Sequence, residues 1–391
     1  MNVTLIGCGC GDITGDARAA ISEARLLIGS KRLLDAYGED KPQIEAVTAE
    51  AIAAAIRKAD CDTVCVLFSG DSGFHSGARL LLPLTADCDV RVIPGVSSVQ
   101  LFAARLQRPW QDWLLRSAHG TDCDVVEAVC HGRPVFFLTG GKQSPAALCR
   151  ELTDAGLGFL NIHVGEDLGT SRERITHASA AALAERTFSP LSVMLAESAP
   201  RPEKRVPGIP DAEFLRAEKI PMTRQEIRAA ALSKLGVGPK DVCWDIGAGT
   251  GSVSVELALQ CRAVYGIERE AAALALAEEN RKKHGAWNLR LIKGEAPAAF
   301  AGLSAPDGVF IGGSGGRLRE ILCAVQEANP RARVCVAAIT LEALHTSYSV
   351  LQELGYEAEV TQLSVTRSRP AGGLTLMLAQ NPVYLICGYA P

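Results

Sequence analysis

The stretch Trp244-Asp245-Ile246-Gly247-Ala248-Gly249-Thr250-Gly251 predicts the fold of the C-terminal half of this chain. The apolar residues that lead into it are typical of a buried strand, and the residues that follow are typical of a helix. The glycines at 247, 249 and 251 allow a tight turn and a close approach of the backbone to a ligand, because they have no Cβ. The first amides of the following helix suit a carboxylate. The pattern therefore predicts a cofactor loop at the end of a strand.

Two further strand ends distinguish between possible cofactors. Glu268 ends the next predicted strand, roughly 20 residues after Asp245, where a carboxylate can accept hydrogen bonds from both ribose hydroxyls. Gly294-Glu295-Ala296 ends the third strand, where an adenine would lie. A dehydrogenase also places an acid at the second position, but the spacing Gly-x-Gly-x-Gly differs from the dinucleotide spacing Gly-x-Gly-x-x-Gly. The three ends together favour S-adenosylmethionine (SAM) over NAD.

The loop after the fourth predicted strand bears on the substrate. Enzymes that methylate amino groups of nucleic-acid bases have Asn or Asp, two prolines and an aromatic residue there, which hold a flipped base. This chain has instead Gly312, Gly313, Ser314, Gly315 and Gly316, which offer backbone amides but no stacking surface. Because a run of glycines is entropically costly, we interpret it as a close contact with a bulky, flat or anionic substrate rather than as a flexible loop.

Strand and helix patterns alternate along the chain in two groups. N-terminal apolar runs predict strands at 3–6, 26–28, 64–68, 90–93, 135–138, 161–164 and 191–195, in parallel α/β layers. C-terminal runs predict strands at 242–246, 263–267, 289–292, 308–311 and 334–339, closed by a hairpin of 358–365 and 382–387. Residues 198–210 contain four prolines and four charges and break the pattern. We predict a first domain at 1–197, a linker at 198–210 and a seven-stranded, Rossmann-like domain at 211–391.

The bulk composition excludes several classes of protein. A chain of 391 residues is too long for one ordinary core. A net charge of −4 argues against a general nucleic-acid binder. The thirteen cysteines lack zinc-site spacing, so we expect no metal site and a reducing cytoplasm. The N-terminus has no signal-peptide pattern, and no apolar run reaches the ~20 residues of a membrane span.

The C-terminal half resembles the decarboxylating methyltransferases of the corrin pathway, which are class I methyltransferases. The resemblance rests on Ile209-Pro210-Asp211, Pro221-Met222-Thr223-Arg224, the 245–251 loop, Gly294-Glu295-Ala296-Pro297, the 312–316 loop and Gln380-Asn381-Pro382-Val383. It implies that SAM is held by Thr223, Gly247, Ala248, Gly249, Thr250, Gly251, Glu268 and Ala296. It also implies that 312–316, Arg367 and Arg369 face a tetrapyrrole, since guanidinium groups bind carboxylates well.

The N-terminal half is similar to the tetrapyrrole methylase family, a two-lobed (class III) fold that holds a folded SAM between its lobes. The similarity is carried by 7–12, by 68–74, by 93–98, by Leu138-Thr139-Gly140 and by 165–170. By position it implies cofactor contacts from Cys10, Ser69, Gly70, Asp71, Ser97, Ser98, Leu138 and Gly169. Cys10 and Ser72 stand where many members have proline. His75 follows the Gly-Asp loop and is interpreted as structural.

The two resemblances imply one pathway. A fusion of this kind would transfer methyl groups from two SAM molecules to carbons 5 and 15 of precorrin-6Y and remove the ring C acetate carboxylate, giving precorrin-8X. We expect a cytoplasmic homo-oligomer that contacts neither nucleic acid nor membrane. Glu342 and His345 follow the fifth predicted strand and are hypothesised as proton carriers, although such residues are more often on a solvated helix face.

Three alternatives remain open at this point. The substrate could be a cobalt-containing corrin intermediate. The chain could instead be a nucleic-acid methyltransferase that uses the cluster Arg281-Lys282-Lys283-His284, which we interpret as a solvated helix end. It could also be a SAM sensor without catalysis, which would have no reason to retain two complete cofactor sites.

Overall fold

The computed structural model describes residues 1–9, 13–38, 41–119, 123–200 and 206–390. The chain forms two compact units, Met1–Ser198 and Ala199–Pro391, and each has its own core. Cys10 lies outside the described residues. Within the described part of the chain, no helix combines the length and the apolar character needed to cross a bilayer.

The first lobe of the N-terminal unit is a parallel sheet of order β3-β2-β4-β1-β5. Its strands are β1 (Asn2–Gly7), β2 (Leu26–Gly29), β3 (Gln43–Glu45), β4 (Thr63–Phe68) and β5 (Asp89–Ile93). Its helices are α1 (Gly15–Glu23), α2 (Lys31–Tyr37), α3 (Ala49–Lys58), α4 (Ala78–Leu81) and α5 (Ser98–Leu106). Strand β3, whose residues are all exposed, carries no apolar run and was not predicted.

The second lobe of this unit is a mixed sheet of order β6-β7-β10-β8-β9, not the parallel layer that the alternation predicted. Its elements are β6 (Leu114–Ser117), α6 (Val125–Val129), β7 (Val135–Leu138), α7 (Pro145–Asp154), β8 (Asn161–Glu166), β9 (Arg174–Ser179), α8 (Ala180–Leu183) and β10 (Ser192–Ala196). The connection between β8 and β9 is too short for a crossover helix, so these strands pair antiparallel. The parallel prediction was therefore wrong for this lobe.

Helix α5 joins the two lobes through Phe102. Its ring is fully buried in a cluster with Val99 of the same helix and with Trp113, Phe136 and Leu195 of the second lobe. Phe74, from the loop after β4 in the first lobe, packs against the same cluster. A Cβ added at Gly165 of β8 would stand 2.8 Å from the Phe102 ring, so the second sheet can pack closely against α5 only with glycine there. Phe102 is thus central to the packing of this unit.

The C-terminal unit contains a seven-stranded sheet of order β13-β12-β11-β14-β15-β19-β16, as predicted for a class I methyltransferase. The strands are β11 (Val242–Ile246), β12 (Ala263–Glu268), β13 (Leu289–Lys293), β14 (Gly308–Ile311), β15 (Arg333–Ala338), β16 (Glu357–Leu363) and, after a two-stranded insertion, β19 (Val383–Tyr389). The first five are parallel, and β19 runs antiparallel to both of its neighbours. The helices are α9 (Gln225–Leu235), α10 (Ser252–Ala258), α11 (Ala271–Lys283), α12 (Leu318–Ala328) and α13 (Leu341–Glu353).

The insertion is a separate hairpin of β17 (Thr366–Ala371) and β18 (Leu374–Ala379). Sequence reasoning missed it, because Arg367, Arg369 and Pro370 interrupt any apolar alternation in β17. All residues of β18 are exposed, so the hairpin adds little to the core of its own unit.

We expect Phe102→Ala to destabilise the N-terminal unit by about 3–5 kcal/mol, because it empties the cluster that joins the two lobes. Denaturant unfolding of the full chain measures this change. Phe159→Ala is the matched control, since the Phe159 side chain is 54% exposed and should change the free energy of unfolding little. Equal losses in the two variants would contradict the role of Phe102.

Candidate active site

A cleft of about 490 Å³ opens at the carboxyl ends of β11, β12, β13 and β14. The strand order reverses between β11 and β14, and open α/β sheets bind ligands at such a reversal. The volume lies in the range of small-molecule sites. Of the predicted site residues, the cleft is lined by Gly247, Gly249, Glu268, Ala296, Gly312, Gly313, Ser314 and Gly315.

The glycine loop is held by close backbone contacts. Gly249 has a φ of +55°, and a Cβ there would lie 2.6 Å from the Pro221 carbonyl oxygen. A Cβ at Gly247 would lie 2.7 Å from the Gly313 oxygen. Ala248, Thr250 and Gly251 are buried behind these positions. The loop therefore forms the floor of the cleft with bare backbone, which fits a ligand that is bound by amides.

Glu268 lines the wall of the cleft, and its role as a ribose acid stays a prediction. Its carboxylate accepts hydrogen bonds from the Gly249 amide at 2.8 Å and from the Glu270 amide at 2.9 Å. Each carboxylate oxygen has a second acceptor position, so the group can still accept hydroxyl hydrogens. Glu268 thus connects the glycine loop to the rim of the cleft.

Asp245 has a different environment from Glu268, although the two acids end adjacent strands. Its side chain is buried, accepts a hydrogen bond from the Ser254 hydroxyl, and has a pKa that burial raises to about 7. Among the described residues, Asp245 Oδ1 and Thr250 Oγ1 are buried with no hydrogen-bond partner. Two unsatisfied polar atoms beside the glycine loop fit a site that a polar ligand or a bound water completes.

The 312–316 loop forms the opposite wall of the cleft. The Gly312 amide donates to the Ile246 carbonyl at 2.9 Å, which holds the loop against the end of β11. Beside it, Arg269 and Arg317 approach the Glu295 carboxylate at 3.5 Å and 4.0 Å. Both arginines are partly exposed at the rim. Sequence reasoning did not select them, because a single arginine after a strand or a loop is a common surface residue.

Thr223, Arg367 and Arg369 do not line the cleft in the described part of the chain. The Thr223 carbonyl instead accepts a hydrogen bond from Arg228. Arg367 is paired with Asp211, at 3.1 Å, and with Glu226. Burial pushes the pKa of the Asp211 carboxyl up, but hydrogen bonds and charge from Arg228 and Arg367 outweigh it and hold that pKa below its usual range. Arg369 is exposed on the hairpin.

The hypothesised proton carriers Glu342 and His345 are exposed on the first two turns of α13. His345 lines a separate apolar groove with Leu341, Leu344, Tyr348 and Val360. Neither residue is among those that line the cofactor cleft. The structure therefore does not bring them together with the predicted cofactor residues.

The basic cluster at 281–284 is only partly solvated, which differs from the prediction. Arg281 is buried and pairs with Glu278 at 2.7 Å, and its guanidinium lies over the Trp287 ring. His284 lies against the Phe214 ring and within 3.2 Å of the Glu213 carbonyl oxygen. These two side chains serve the packing of their own unit, which leaves Lys282 and Lys283 as the exposed cations of the cluster.

In the N-terminal unit, three strand ends of the parallel sheet converge. The Gly9 amide donates to the Gly70 carbonyl at 2.9 Å, and a Cβ at Gly95 would lie 2.3 Å from the Gly7 carbonyl oxygen. This contact brings together the loop after β1, the loop that contains Ser69, Gly70 and Asp71, and the loop that contains Ser97 and Ser98. Asp71 accepts from the Gly73 amide at 3.1 Å, which shapes its own turn.

The remaining predicted residues of this unit have mixed exposure. Ser97 is buried and begins α5 in a capping box with Gln100, so its hydroxyl has a structural partner. Ser98 and Leu138 are half-buried. The Gly169 amide, at a residue with a φ of +79°, donates to Glu173 at 2.8 Å. Across the described residues, no group of three or more His, Cys, Asp or Glu side chains could hold a metal ion.

Two family models match this chain, one for each unit. The model of tetrapyrrole (corrin/porphyrin) methylases matches residues 2–184, and the model of the precorrin methyltransferase domain matches residues 215–387. A Sinorhizobium protein named precorrin-6Y C(5,15)-methyltransferase [decarboxylating] is 31% identical over 396 residues, which covers 97% of this chain and 94% of that protein. The similarity therefore extends over both units.

Other relatives match about half of the chain. A Pyrobaculum calidifontis protein named probable cobalt-precorrin-6B C(15)-methyltransferase (decarboxylating) is 43% identical over 188 residues, covering 47% of this chain and 96% of that protein. The crystal structure of a precorrin-6Y C5,15-methyltransferase from Geobacter metallireducens GS-15 is 37% identical with a TM-score of 0.45, covering 48% of this chain and 99% of that one.

We expect Asp245→Asn to flatten the pH dependence of stability. The folded chain keeps the Asp245 proton up to a pH of about 7, whereas the unfolded chain loses it near its ordinary pKa of about 4. The free energy of unfolding should therefore fall as the pH rises through this window, and an amide removes that contribution. Urea unfolding of the full chain at several pH values between 5 and 8 measures it.

Glu327→Gln is the control for this prediction, because Glu327 is exposed. It should keep the wild-type slope of stability against pH. If the free energy of unfolding of Asp245→Asn depends on pH as steeply as that of this control, the Asp245 carboxyl is not protonated in the folded chain.

Proposed function

Because this chain belongs to the precorrin-6Y C(5,15)-methyltransferase (decarboxylating) family, we propose that it methylates carbons 5 and 15 of precorrin-6Y and removes the ring C acetate carboxylate, giving precorrin-8X. It is a SAM-dependent C-methyltransferase of cobalamin biosynthesis. The observation that carries the proposal is the similarity to one bifunctional relative over both units.

We assign carbon 15 and the decarboxylation to the C-terminal unit, and carbon 5 to the N-terminal unit. A relative of about half this length is named a decarboxylating C(15)-methyltransferase. The precorrin methyltransferase model matches within the C-terminal unit, and the tetrapyrrole methylase model matches within the other. Each unit would then need its own SAM, so the chain would consume two.

In the C-terminal cleft, we propose that the glycine loop and Glu268 hold SAM. Bound SAM supplies an electrophilic methyl group to an electron-rich carbon. Such a transfer depends on alignment and exclusion of water more than on a strong base. The close contacts of Gly249 with Pro221 and of Gly247 with Gly313 fix the floor on which the cofactor rests. Glu268 gives the ribose hydroxyls a carboxylate that two backbone amides already orient.

We propose that the 312–316 loop and the rim arginines hold the tetrapyrrole. Backbone without side chains lets a flat ring approach the cofactor, and guanidinium groups bind carboxylates in bidentate fashion. Arg269 and Arg317 are at the rim, and Arg369 is exposed on the hairpin. Arg367 is paired with the buried carboxylate of Asp211 as well as with Glu226, so we assign it to the positioning of the hairpin. The carboxylate partners of Arg269 and Arg317 are exposed, so a substrate carboxylate can replace them.

For the decarboxylation, the electron pair of the broken carbon–carbon bond passes into the conjugated ring, carbon dioxide leaves, and a proton is added to the exocyclic carbon. Glu342 and His345 are exposed on α13. They can donate this proton only to a substrate that extends over the start of that helix. A cobalt-containing substrate is the second candidate, and the name of the Pyrobaculum relative favours it.

We also propose that the chain forms a homo-oligomer through the β17–β18 hairpin. An isolated two-stranded hairpin is marginally stable in water, and Leu374, Leu376 and Met377 on it are 71%, 47% and 65% exposed. Light scattering after size exclusion should find a multimer. Leu376→Arg should shift it towards the monomer, whereas Val206→Arg, at another exposed apolar residue, should not. A monomeric wild-type chain would contradict the proposal.

We expect calorimetry to find two sites for S-adenosylhomocysteine (SAH) in the wild-type chain and one in Glu268→Ala. Incubation with precorrin-6Y and SAM should give a product that has gained two methyl groups and lost carbon dioxide. In Glu268→Ala the methylation of carbon 15 and the decarboxylation should both be lost, because the ribose acid is missing. Mass spectrometry of the products measures this outcome.

Glu279→Ala is the control, since Glu279 is exposed on α11 in the same unit. It should keep two SAH sites and both reactions. A single site in the wild-type chain, or decarboxylation that persists in Glu268→Ala, would overturn the assignment. Conversion of the cobalt-loaded substrate but not of the metal-free one would favour the second candidate.

A further inference from the structure

Residues 208–223, which precede α9, wrap around one buried guanidinium. Arg228 of α9 is fully buried, yet it carries a charge. Its Nε donates to Glu256 Oε1 at 2.8 Å, and its Nη1 donates to Asp211 Oδ1 at 2.9 Å. It also donates to the Ile209 and Thr223 carbonyls, near the two ends of this segment. One side chain therefore closes the segment into a loop, which we call the wrap (residues 208–223).

The partners of Arg228 fasten the wrap to the helix that follows the glycine loop. Glu256 belongs to α10, and its carboxylate accepts from the Gly208 amide at 2.7 Å and from the Ile209 amide at 2.9 Å. Inside the wrap, the Phe214 ring lies 4.7 Å from the guanidinium carbon. Since every charged atom here is paired, losing one partner would leave a buried charge uncompensated.

Asn280 of α11 fastens the middle of the wrap to the glycine loop itself. Its Oδ1 accepts from the Leu215 amide at 2.8 Å. Its Nδ2 donates to the Leu215 carbonyl at 3.0 Å and to the Thr250 carbonyl at 2.9 Å. Asn280 is fully buried, so water does not compete for these hydrogen bonds. A single amide thus connects the wrap to the residue next to Gly249 and Gly251.

The last part of the wrap forms a wall of the cofactor cleft. Lys219, Ile220 and Pro221 line the cleft, and the Pro221 carbonyl accepts from the Thr250 amide at 3.3 Å. Thr250 is therefore held on both sides, through its amide by Pro221 and through its carbonyl by Asn280. The position of this wall depends on the two fastenings, because the residues of the wrap include only one short 3₁₀ turn.

We propose that Asn280 and Arg228 are positioning residues for SAM in the C-terminal unit. They set the distance between the wall 219–221 and the glycine loop, and so the fit of the cleft to the cofactor. Neither side chain lines the cleft, so they act through Thr250 and Pro221 rather than by contact. The inference rests on the proposed function of this cleft as one of two SAM sites.

The test compares two asparagines with the same kind of bonds. Asn280→Ala should raise the Kd for SAH at the C-terminal site about tenfold, because it removes the three hydrogen bonds that fix the wrap and Thr250. The KM for SAM in carbon-15 methylation should rise in parallel, with a kcat near the wild-type value at saturating SAM. The Kd of the other site, identified as the one that remains in Glu268→Ala, should be unchanged.

Asn288→Ala is the matched control. Asn288 Nδ2 donates to the carbonyls of Ala258, Cys261 and Arg262, away from the residues that line the cleft. Both variants should lower the unfolding temperature, but only Asn280→Ala should weaken SAH binding. If Asn280→Ala fails to fold, Arg228→Lys tests the same wrap, because it keeps the charge and loses the planar fork.

Three results separate the possible failures. Equal SAH affinities in Asn280→Ala and Asn288→Ala would overturn the positioning role. A loss of affinity at both sites of Asn280→Ala would do the same, since it would indicate general unfolding. A wild-type chain with only one SAH site, unaffected by Glu268→Ala, would instead overturn the proposed function and this inference with it.

Discussion

The close approach of backbone segments at glycine is the constraint on which both candidate sites depend. In the C-terminal unit, a Cβ at Gly249 would stand 2.6 Å from the Pro221 carbonyl oxygen, so a larger residue would push the wall away from the cofactor loop. In the N-terminal unit, a Cβ at Gly95 would stand 2.3 Å from the Gly7 carbonyl oxygen. Both units thus use glycine to bring separate backbone segments into contact beside the ends of their strands. The resulting surfaces are rich in backbone amides and poor in side chains, which suits ligands with carboxylate and ribose groups.

Around the glycine loop of the C-terminal unit, the acidic side chains differ in burial and therefore in role. Asp245 is sealed beneath the loop and has a pKa raised to about 7, whereas Glu268 one strand away stands at the cleft wall with two amide donors. Asp211 and Glu256 are also buried and both pair with Arg228, and Arg367 of the hairpin pairs with Asp211. Buried charges of this kind contribute little net stability, but they define which partners are tolerated. Their arrangement here holds the residues before α9 in one position beside the cofactor loop.

The division of the chain into two units matches the division between the two family models. Each unit resembles a family whose members transfer methyl groups, and the relative from Sinorhizobium combines both over nearly its whole length. We propose that the glycine loop at 312–316 and the rim arginines admit a flat, carboxylate-bearing ring to the C-terminal cleft, whose lining they form or adjoin. The position of Arg367 changes its interpretation, because its guanidinium is paired with the buried carboxylate of Asp211 as well as with Glu226.

The sequence alone was sufficient for the alternation of strands and helices, apart from β3, β6, β9, β17 and β18, and for several residues at the strand ends. The apolar runs of β7, β11 and β14 matched the observed bounds, and Gly247, Gly249, Glu268, Ala296 and residues 312–315 do line one cleft. These features are local, because periodicity and glycine spacing depend only on residues that are close together in the sequence. Only the tertiary structure decided the antiparallel second lobe, the separate β17–β18 hairpin and the partners of Arg228, Asn280, Arg281 and Arg367. Which carboxylate meets a given guanidinium depends on contacts between residues far apart in the chain, and no pattern of neighbouring residues contains that information.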